Sequence, residues 1–198
     1  MAGKVELRRA ALRDTLIANA ERRIEQDGLG KLRARDLAKD ANCALGAIYN
    51  VFGDLNDLVL AVNARTFKRL GAAVAESLAE APQDATQQLI VMSKAYHHFA
   101  AANFNTWRAL FDIERAPDEA APDWYLQEMG QLFAYIDAPL SVIFPQHNTE
   151  NRALLTKALF SSVHGIVLLG LDRASAGVPA AQLDEMISLI LSHLASSN

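Results

Sequence analysis

The side chains that most often carry catalysis or metal binding are sparse in this sequence. Its five histidines stand at positions 97, 98, 147, 164 and 193. No two of them are four residues apart, the spacing that places two imidazoles on one helix face around a metal ion. The single cysteine, Cys43, can form neither an intrachain disulfide nor a cage of thiolate ligands. We therefore predict no metal site and no cofactor.

The motifs of common enzyme classes are also missing. The sequence has no His-Glu-x-x-His, no Gly-x-Ser-x-Gly and no glycine-rich phosphate loop. No pair of carboxylates flanks a histidine at helical spacing, and the acidic residues between 112 and 119 fit a solvated helix end. The sequence therefore predicts that the protein is not an enzyme.

The segment from residue 31 to residue 50 carries side chains suited to contact with a nucleic acid. An asparagine can make two hydrogen bonds to adenine, and Asn50 is the candidate for that contact. Small or apolar residues, which can approach thymine methyl groups, precede it at Ala44, Leu45, Gly46 and Ala47. The nearby cations, which could contact phosphates or a guanine or could be ordinary solvated charges, are Lys31, Arg33 and Arg35.

Charge is distributed unevenly along the chain. Residues 1–53 carry ten Lys or Arg against seven Asp or Glu, a net charge of +3, whereas residues 54–198 carry nine against sixteen, a net charge of −7. A basic head on an acidic body is typical of a protein that meets a polyanion at one end, and the alternative is a chance split.

Composition and hydropathy exclude several classes of protein. A chain of 198 residues with 51% hydrophobic and 21% charged residues can build a folded core, which excludes disordered and collagen-like proteins. No apolar run approaches the roughly 20 residues of a membrane helix, and the first residues lack the apolar stretch of a signal peptide. We therefore predict a cytoplasmic protein without membrane contact.

The spacing of apolar residues places the candidates for nucleic-acid contact on short helices. Apolar residues at positions 16, 17, 20 and 24 predict a first amphipathic helix that ends at Gly28. A second helix is predicted through residues 36–39 and a third over residues 45–52, joined by the turn Asn42-Cys43-Ala44. Two short helices joined in this way form a helix-turn-helix, whose second helix can enter a major groove of DNA.

The rest of the chain is predicted to be helical as well. Asp54 and Asp57 can satisfy the free N–H groups at the start of a long fourth helix. Five further helices are predicted over residues 86–102, 106–116, 124–144, 149–174 and 180–195. Pro139 lies inside one of them and should kink or split it. No segment shows the alternation of a strand, so the predicted fold class is all-α.

The predicted architecture has two domains. Residues 1–53 form a three-helix DNA-binding head that contains the helix-turn-helix. Residues 54–198 begin with the long fourth helix, which joins this head to a helical body.

The central helices are rich in large, adaptable side chains. Helical bundles commonly bind ligands in apolar clefts with a few polar groups, so we predict a site for a largely apolar or aromatic small molecule. The candidate lining residues, each of which could also be a core residue, are Met92, Tyr96, Phe99, Trp107, Phe111, Trp124, Met129, Phe133, Phe160 and His164. Adjacent His97 and His98 cannot both face inward, and we expect His98 or His164 to be a buried, hydrogen-bonded histidine.

The last two helices are the predicted dimer surface. Their apolar faces are too extensive for a solvated pair, although part of each must close the core of its own chain. The residues of these faces are Leu155, Leu159, Val163, Ile166 and Leu169 on one helix and Leu183, Met186, Ile187, Ile190 and Leu194 on the other. Gly165 and Gly170 would permit close approach of helices in a four-helix dimer interface.

Residues 35–52 read Arg-Asp-Leu-Ala-Lys-Asp-Ala-Asn-Cys-Ala-Leu-Gly-Ala-Ile-Tyr-Asn-Val-Phe. This segment, with Leu58 and the start of the long helix, resembles the N-terminal DNA-binding domain of the TetR family of repressors, most clearly in Gly-Ala-Ile-Tyr-x-x-Phe. The resemblance covers about residues 7–63, and the remaining helical length matches the family's variable ligand-binding and dimerisation body. Phe160-x-x-x-His164-Gly165 is similar to the Trp-x-x-x-His-Gly element of one subgroup.

The resemblance implies a function and a set of roles. It implies a homodimer that binds a palindromic operator in double-stranded DNA and is released by a small-molecule effector. Tyr49 would contact a phosphate, residues 44–47 and Asn50 would face bases, and Ile48 and Phe52 would hold the groove helix onto the first helix.

The chain departs from the family pattern at positions that usually bind the DNA backbone. Arg33 and Ala44 replace the usual Ser or Thr caps, Val51 replaces a His, and Leu55 replaces a Lys that commonly grips a phosphate. We therefore predict fewer phosphate contacts and a shallower salt dependence than in a typical member. The alternative function is an all-α carrier or sensor of small molecules with little affinity for DNA.

Overall fold

A computed structural model describes residues 2–113, 120–172 and 178–196, and their regular structure is entirely helical. The all-α prediction is therefore confirmed. The α-helices are α1 (Ala2–Asp27), α2 (Ala34–Asp40), α3 (Leu45–Val51), α4 (Leu55–Ala79), α5 (Ala85–Ala102), α6 (Phe104–Arg108), α7 (Asp123–Ile143), α8 (Thr149–Leu171) and α9 (Leu183–Ser196). Short 3₁₀ turns at Leu29–Lys31 and Ala180–Gln182 precede α2 and α9.

Helix α6 differs from its predicted range, and helix α7 bears on the prediction for Pro139. Helix α6 ends at Arg108 because the chain then closes into a turn, in which Leu110 N donates to Trp107 O at 3.1 Å. Helix α7 continues through Pro139 as one element, so of the predicted kink or split the split does not occur: a proline removes one backbone hydrogen bond, and the turns on either side are retained. The ends predicted at residues 114–116 and 173–174 lie outside the described residues.

Helix α8 is more apolar than predicted. By length and composition it could span a bilayer, with a mean hydropathy of 1.7. The prediction that no apolar run approaches the length of a membrane helix is therefore wrong for this helix. Core helices of soluble proteins meet the same criterion. Within the described residues, 22% of this apolar window is buried inside the chain.

The chain forms two compact units that do not coincide with the predicted domains. One unit comprises residues 1–66 and 103–125, and the other comprises residues 67–102 and 126–198. The predicted boundary at residue 53 falls inside the first unit because the start of α4 is buried in the same core as α1 to α3. Helix α4 thus contributes its first turns to one unit and its later turns to the other.

The core of the first unit is built from the helix faces that the apolar spacing predicted. Its fully or nearly fully buried side chains include Leu16, Ile17, Ala20 and Ile24 of α1, Leu37 of α2, Ile48 of α3, Phe52, and Leu58 and Val62 of α4. Asn63, which is also buried, donates from Nδ2 to the carbonyl of Ala109 at 2.9 Å. This hydrogen bond ties α4 to the segment after α6 within the unit.

The turn between α2 and α3 depends on Asn42. Asn42 has a φ of 48°, in the left-handed region that Gly and Asn tolerate best. Its N–H donates to Lys39 O at 3.2 Å, and the N–H of Cys43 donates to Ala38 O at 2.9 Å. These two bonds form a Schellman motif, which satisfies the last carbonyls of α2 and turns the chain into α3.

The predicted cap of the fourth helix is present. Asp54 Oδ1 accepts from the N–H of Asp57 at 2.8 Å, and Asp57 Oδ2 accepts in return from the N–H of Gly53 at 3.1 Å. The two carboxylates therefore satisfy two free backbone donors reciprocally, as in a capping box, and lie at the positive end of the helix dipole.

Gly170 permits a close approach of two helices within the chain, and the interface contact predicted for it stays a prediction. A Cβ added at Gly170 would lie 2.7 Å from Cδ1 and 2.9 Å from Cγ of Leu183, a side chain with no exposed surface. Gly165, in contrast, has open space around it in the described part of the chain. The glycine at 170 is therefore required where the start of α9 packs on α8.

We expect Gly170→Ala to lower the free energy of unfolding by about 1–3 kcal/mol, the usual effect of overpacking. Gly165→Ala is the matched control, because it adds the same methyl group to the same helix without a clash and should be neutral or stabilising by up to about 1 kcal/mol. Urea unfolding at a concentration where the protein is monomeric measures both. Equal effects of the two substitutions would contradict the packing assigned to Gly170.

Candidate nucleic-acid interface and small-molecule cleft

Helix α3 has one buried and one exposed face. Ile48 has no exposed surface and Phe52, just after the helix, is 5% exposed, because both pack into the core of the first unit. Tyr49 is 48% exposed, and Asn50 is exposed beside it. The side chains predicted to meet DNA are thus accessible, and those predicted to anchor the helix are inside.

The start of α3 is also open to solvent. Ala44, Leu45 and Gly46 are exposed and Ala47 is half-buried. As predicted, neither of the two short helices has a side-chain cap at its N-terminus, where Arg33 precedes α2 and Ala44 precedes α3. No capping side chain satisfies the first N–H groups of either helix, and the N–H groups of Asp36 and Ala47 donate to the carbonyls of Arg33 and Ala44 at 3.1 and 2.9 Å.

The predicted cations lie on the surface of the same unit. Lys31, Arg33 and Arg35 are all exposed. Arg33 Nη1 donates to the carbonyls of Gly30 and Leu32, each at 2.9 Å, so its guanidinium is held beside the 3₁₀ turn. Within the described residues, no carboxylate lies at ion-pair distance from Lys31 or Arg35, and their charges remain available.

A paired arginine and aspartate fix α2 against α1. Arg23 donates to Asp40 through Nε at 2.6 Å and through Nη2 at 3.0 Å, a two-pronged contact between the C-terminal part of α1 and the end of α2. The hydrogen bond from Arg23 holds the pKa of Asp40 below its ordinary value, with smaller contributions from the charges of Arg23, Arg22 and Lys39. The carboxylate therefore stays ionised into mild acid, and the orientation of the helix-turn-helix on α1 is maintained.

A cleft of about 650 Å³ opens in the second unit. Its walls come from the later turns of α4, from α5 and from α7. The lining residues are Phe67, Lys68, Gly71, Ala72, Ala75, Leu78, Gln88, Met92, Glu128, Gln131, Leu132, Ala134, Tyr135, Ala138 and Pro139. Most of this surface is apolar. Lys68 Nζ lies 3.3 Å from Glu128 Oε1, so an ion pair lies beside the apolar walls.

Small residues on α4 create the space of the cleft. Gly71, Ala72 and Ala75 follow one face of the helix, and a Cβ at Gly71 would already touch Leu132 of α7 at 3.4 Å. Sequence analysis selected large side chains as the lining and so missed this face. The signal it could have used is the spacing of 71, 75 and 78 on α4 with 128, 131, 135 and 138 on α7.

One of the ten predicted ligand residues, Met92, lines this cleft. Four others lie in the same unit outside the lining and form an aromatic cluster, in which Tyr96 OH lies 2.7 Å from His164 Nδ1 and the rings of Phe133 and Phe160 meet edge to face at 5.2 Å. Phe160 stacks on His164 with ring centroids 5.5 Å apart. The cluster joins α5, α7 and α8.

The other five predicted residues have different surroundings. Trp107 is fully buried in the first unit, with Phe111 against its ring at 5.7 Å. Trp124 belongs to the same unit and is 44% exposed. Phe99 and Met129 are half-buried in the second unit. The assignment of these residues to a ligand site remains a prediction.

The two histidines expected to be buried differ from each other. His164 is half-buried and hydrogen-bonded to Tyr96, as expected, whereas the side chain of His98 is 63% exposed, so the expectation is wrong for His98. His97 and His98 both contact Asp184 of α9. Burial raises the pKa of Asp184, but the hydrogen bonds from the two histidines outweigh burial and hold that pKa below its ordinary value.

Several solved structures share this fold. A protein of unknown function from Rhodococcus sp. RHA1 superposes with a TM-score of 0.74 over 94% of each chain, at 23% identity. RolR, solved with resorcinol, superposes with a TM-score of 0.67 over 96% of this chain and 89% of its own, at 18% identity. FadR from Bacillus subtilis, solved with stearoyl-CoA, superposes with a TM-score of 0.68 over 90% of this chain and 97% of its own, at 15% identity.

Sequence comparison identifies the family. No curated protein sequence matches the chain significantly. The tetracyclin repressor-like C-terminal domain, as a family model, matches residues 89–194, which is more than half of the chain. The matched range includes Phe160, His164 and Gly165, the residues of the predicted second motif. With its all-helical fold and its helix-turn-helix, the chain belongs to the TetR family of transcriptional regulators.

Proposed function

We propose that this protein is a cytoplasmic repressor that binds a palindromic operator as a homodimer and is released by a small, largely apolar or aromatic molecule. The observation that carries the proposal is the division of α3 into a face anchored by Ile48 and a face that exposes Tyr49 and Asn50. The major groove of B-DNA is about 12 Å wide and admits one α-helix. The exposed face of α3 can therefore reach the base edges.

The side chains of that face assign distinct roles. The phenol of Tyr49 can donate to a phosphate oxygen, and Asn50 can make paired hydrogen bonds to an adenine. Leu45 and Ala44 offer apolar contact to thymine methyl groups. Lys31 and Arg35 carry uncompensated charge on the same unit and would add to the attraction of the phosphate backbone.

Asn50→Ala should relax the choice of base at one position of each half-site. Loss of the paired hydrogen bonds is expected to reduce discrimination there by about 1–3 kcal/mol, with little change at other positions. Binding assays on a set of operators substituted one base pair at a time measure this. Asn50→Gln, which keeps the amide, is the control and should retain part of the preference. An unchanged preference in Asn50→Ala would exclude Asn50 from base readout.

The cleft of the second unit supports the choice of effector. Its walls are formed mainly by apolar side chains, whereas the Lys68–Glu128 pair, Gln88 and Tyr135 offer a few groups that can orient a polar substituent. A molecule with an aromatic or aliphatic body and one polar end fits this lining. The cleft has a volume of about 650 Å³, which is in the range of sites for drug-sized ligands.

Helix α4 supplies the coupling in this proposal. Its start packs in the core that holds α3, and its later turns line the cleft. A ligand that binds better to the form unable to bind DNA shifts the population toward that form, by no more than its differential affinity. Coupling is reciprocal, so operator DNA must weaken ligand binding by the same factor. Calorimetry that finds equal ligand affinity with and without operator would exclude the coupling.

Ala75→Phe should block the cleft and leave DNA binding intact. The added ring would occupy the space between α4 and α7, and we expect the affinity for the apolar probe 8-anilinonaphthalene-1-sulfonate to fall at least about tenfold, a loss of about 1.4 kcal/mol. Ala79→Phe, one turn further along the same helix and outside the lining, is the control. Fluorescence titration measures both variants. Unchanged probe binding by Ala75→Phe would place the ligand elsewhere.

The homodimer is proposed from the apolar surface that α8 and α9 leave uncovered. Leu159 and Ile187 are buried within the chain, but Leu169, Leu189 and Ile190 are exposed. A groove of about 350 Å³ between the helices is lined by Leu155, Ala158, Leu159, Ser162, Ile190, His193 and Leu194. A second copy packed on this surface would present two α3 helices, which an operator requires about 34 to 36 Å apart.

A carrier of small molecules with little affinity for DNA is the alternative, since α3 offers few hydrogen-bonding groups. Binding of random duplex DNA at low salt separates the two functions. A carrier would bind the fluorescent probe and leave the duplex free, whereas the proposed repressor binds both.

A further inference from the structure

Three side chains with metal-binding atoms converge where α5 meets α9. His97 Nδ1 lies 2.8 Å from Asp184 Oδ1, and His98 Nε2 lies 2.8 Å from Asp184 Oδ2. One ligand atom of each residue lies within 4.8 Å of the other two. The side chain of His97 is 13% exposed, that of Asp184 is 39% exposed and that of His98 is 63% exposed, so the cluster is closed on one side and open to water on the other.

The local structure explains how adjacent histidines reach one carboxylate. Successive side chains on a helix diverge by about 100°, so one must reach further than the other. His97 faces α9 and uses Nδ1, the nitrogen nearer its backbone, whereas His98 lies to the side and reaches over with the more distant Nε2.

The carboxylate is held in place by the packing of α9. Leu183 and Ile187, on either side of Asp184 in sequence, have no exposed surface and anchor the first turn of the helix. The carbonyl of Asp184 accepts from Ser188 Oγ at 2.7 Å, and this bond further orders that turn. The three ligand groups therefore come from two packed helices of one compact unit, and not from mobile surface chains.

We propose that His97, His98 and Asp184 bind a divalent transition-metal ion, of which Zn²⁺ is the best match. Two imidazole nitrogens and one carboxylate oxygen form the donor set that Zn²⁺ commonly takes when water fills a fourth position. Bonds of about 2.0 to 2.2 Å in a tetrahedral arrangement place donor atoms about 3.3 Å apart. The observed N···O separations of 2.8 Å need to open by about half an ångström for the ion to enter.

The donor set also selects against other cations. Mg²⁺ and Ca²⁺ prefer six or more oxygen ligands, whereas two of the three donors here are nitrogens. None of the three residues lines the cleft. A bound ion would join α5 to α9 across a sequence separation of 86 residues and so stabilise the second unit.

The test uses the full chain without a polyhistidine tag, stripped with a chelator. Co²⁺ is added as a spectroscopic probe, and Zn²⁺ is then titrated by calorimetry and by thermal unfolding. We expect one equivalent of Co²⁺ to give the visible absorption of a four- or five-coordinate ion, Zn²⁺ to displace it, and Zn²⁺ to raise the melting temperature. Mg²⁺ at the same concentration should neither displace Co²⁺ nor raise the melting temperature.

Three variants assign the ligands. Asp184→Asn and His98→Ala should each lower the Zn²⁺ affinity by about 100-fold or more, since loss of a ligand costs at least as much as loss of a group that orients one. Glu185→Gln, next to Asp184 on the same helix α9 but exposed and outside the cluster, is the matched control and should bind Zn²⁺ as the wild type does. His98 is exposed, so its variant reports on the site even if Asp184→Asn disturbs folding.

Two results would overturn the proposal. One is the absence of a saturable one-to-one complex with either Co²⁺ or Zn²⁺ at micromolar protein. The other is a complex that His98→Ala leaves unchanged or that Glu185→Gln removes, because the ion would then lie elsewhere. Neither result would bear on the proposed repressor function, which is measured with DNA.

Discussion

Gly46→Glu is expected to abolish operator binding while the protein stays folded. Gly46 is exposed in the first turn of α3, and a Cβ added there meets no atom within 4 Å. A carboxylate at this position would face the phosphates and base edges of the groove. Juxtaposed like charges cost several kcal/mol, so we expect the affinity for DNA to fall at least about 100-fold. An acidic residue near a helix N-terminus does not destabilise the helix, which separates this loss from unfolding.

Gly130→Glu is the matched control for this substitution. Gly130 is also an exposed helical glycine with open space around its Cα, but it lies on α7 in the second unit. The variant carries the same change in net charge and should bind DNA nearly as the wild type does. Fluorescence anisotropy with a labelled duplex measures the affinities, and circular dichroism verifies the fold. Equal affinities of the two variants would show that α3 does not meet the DNA.

Ile190→Glu is expected to give a monomer that binds the operator weakly. Ile190 is 43% exposed and lines the groove between α8 and α9. A carboxylate buried without a partner in an apolar interface costs several kcal/mol, so the dimer should dissociate at micromolar concentration. Each head would then bind its half-site independently. The loss of linkage between the two heads should lower operator affinity by about 100-fold or more.

Val142→Glu is the control for the dimer prediction. Val142 is 69% exposed on α7, outside the two helices of the proposed interface. Analytical ultracentrifugation should find this variant as dimeric as the wild type. A wild-type protein that sediments as a monomer at micromolar concentration would contradict the proposed dimer. An Ile190→Glu variant that stays dimeric would contradict the proposed interface.

The head of the molecule could be predicted from sequence because its signals are local. Gly28 ends α1 with a φ of 80°, Asn42 turns α2 into α3, and Asp54 caps α4, each within a few residues of the element it delimits. The buried face of α3 follows from a four-residue spacing, and both Ile48 and Phe52 are inside. Conformational preference and periodicity act over this range, so the sequence shows them directly.

The cleft and the histidine cluster could not be predicted in the same way. Asp184 lies 86 residues from His98, and only the packing of α9 on α5 brings them together. The cleft depends on small residues such as Ala75, whose effect is the space they leave and not a contact they make. The contact between Gly170 and Leu183 depends on how α9 packs on α8, which the apolar pattern of either helix alone does not show. These features depend on which helices pack together, and the spacing of residues within one helix does not show that.

The central claim is that the exposed face of α3 lies in the groove of a DNA duplex. The most direct test is to titrate the wild-type protein into a labelled random duplex at increasing salt concentrations. The account predicts non-specific binding with a dissociation constant of about 10⁻⁴ to 10⁻⁶ M at physiological salt and tighter binding at low salt, despite a net charge of −4 on the whole chain. Binding should weaken as salt rises, with a shallow log–log slope that reflects few phosphate contacts. No binding at the lowest salt, or binding that Gly46→Glu retains in full, would contradict it.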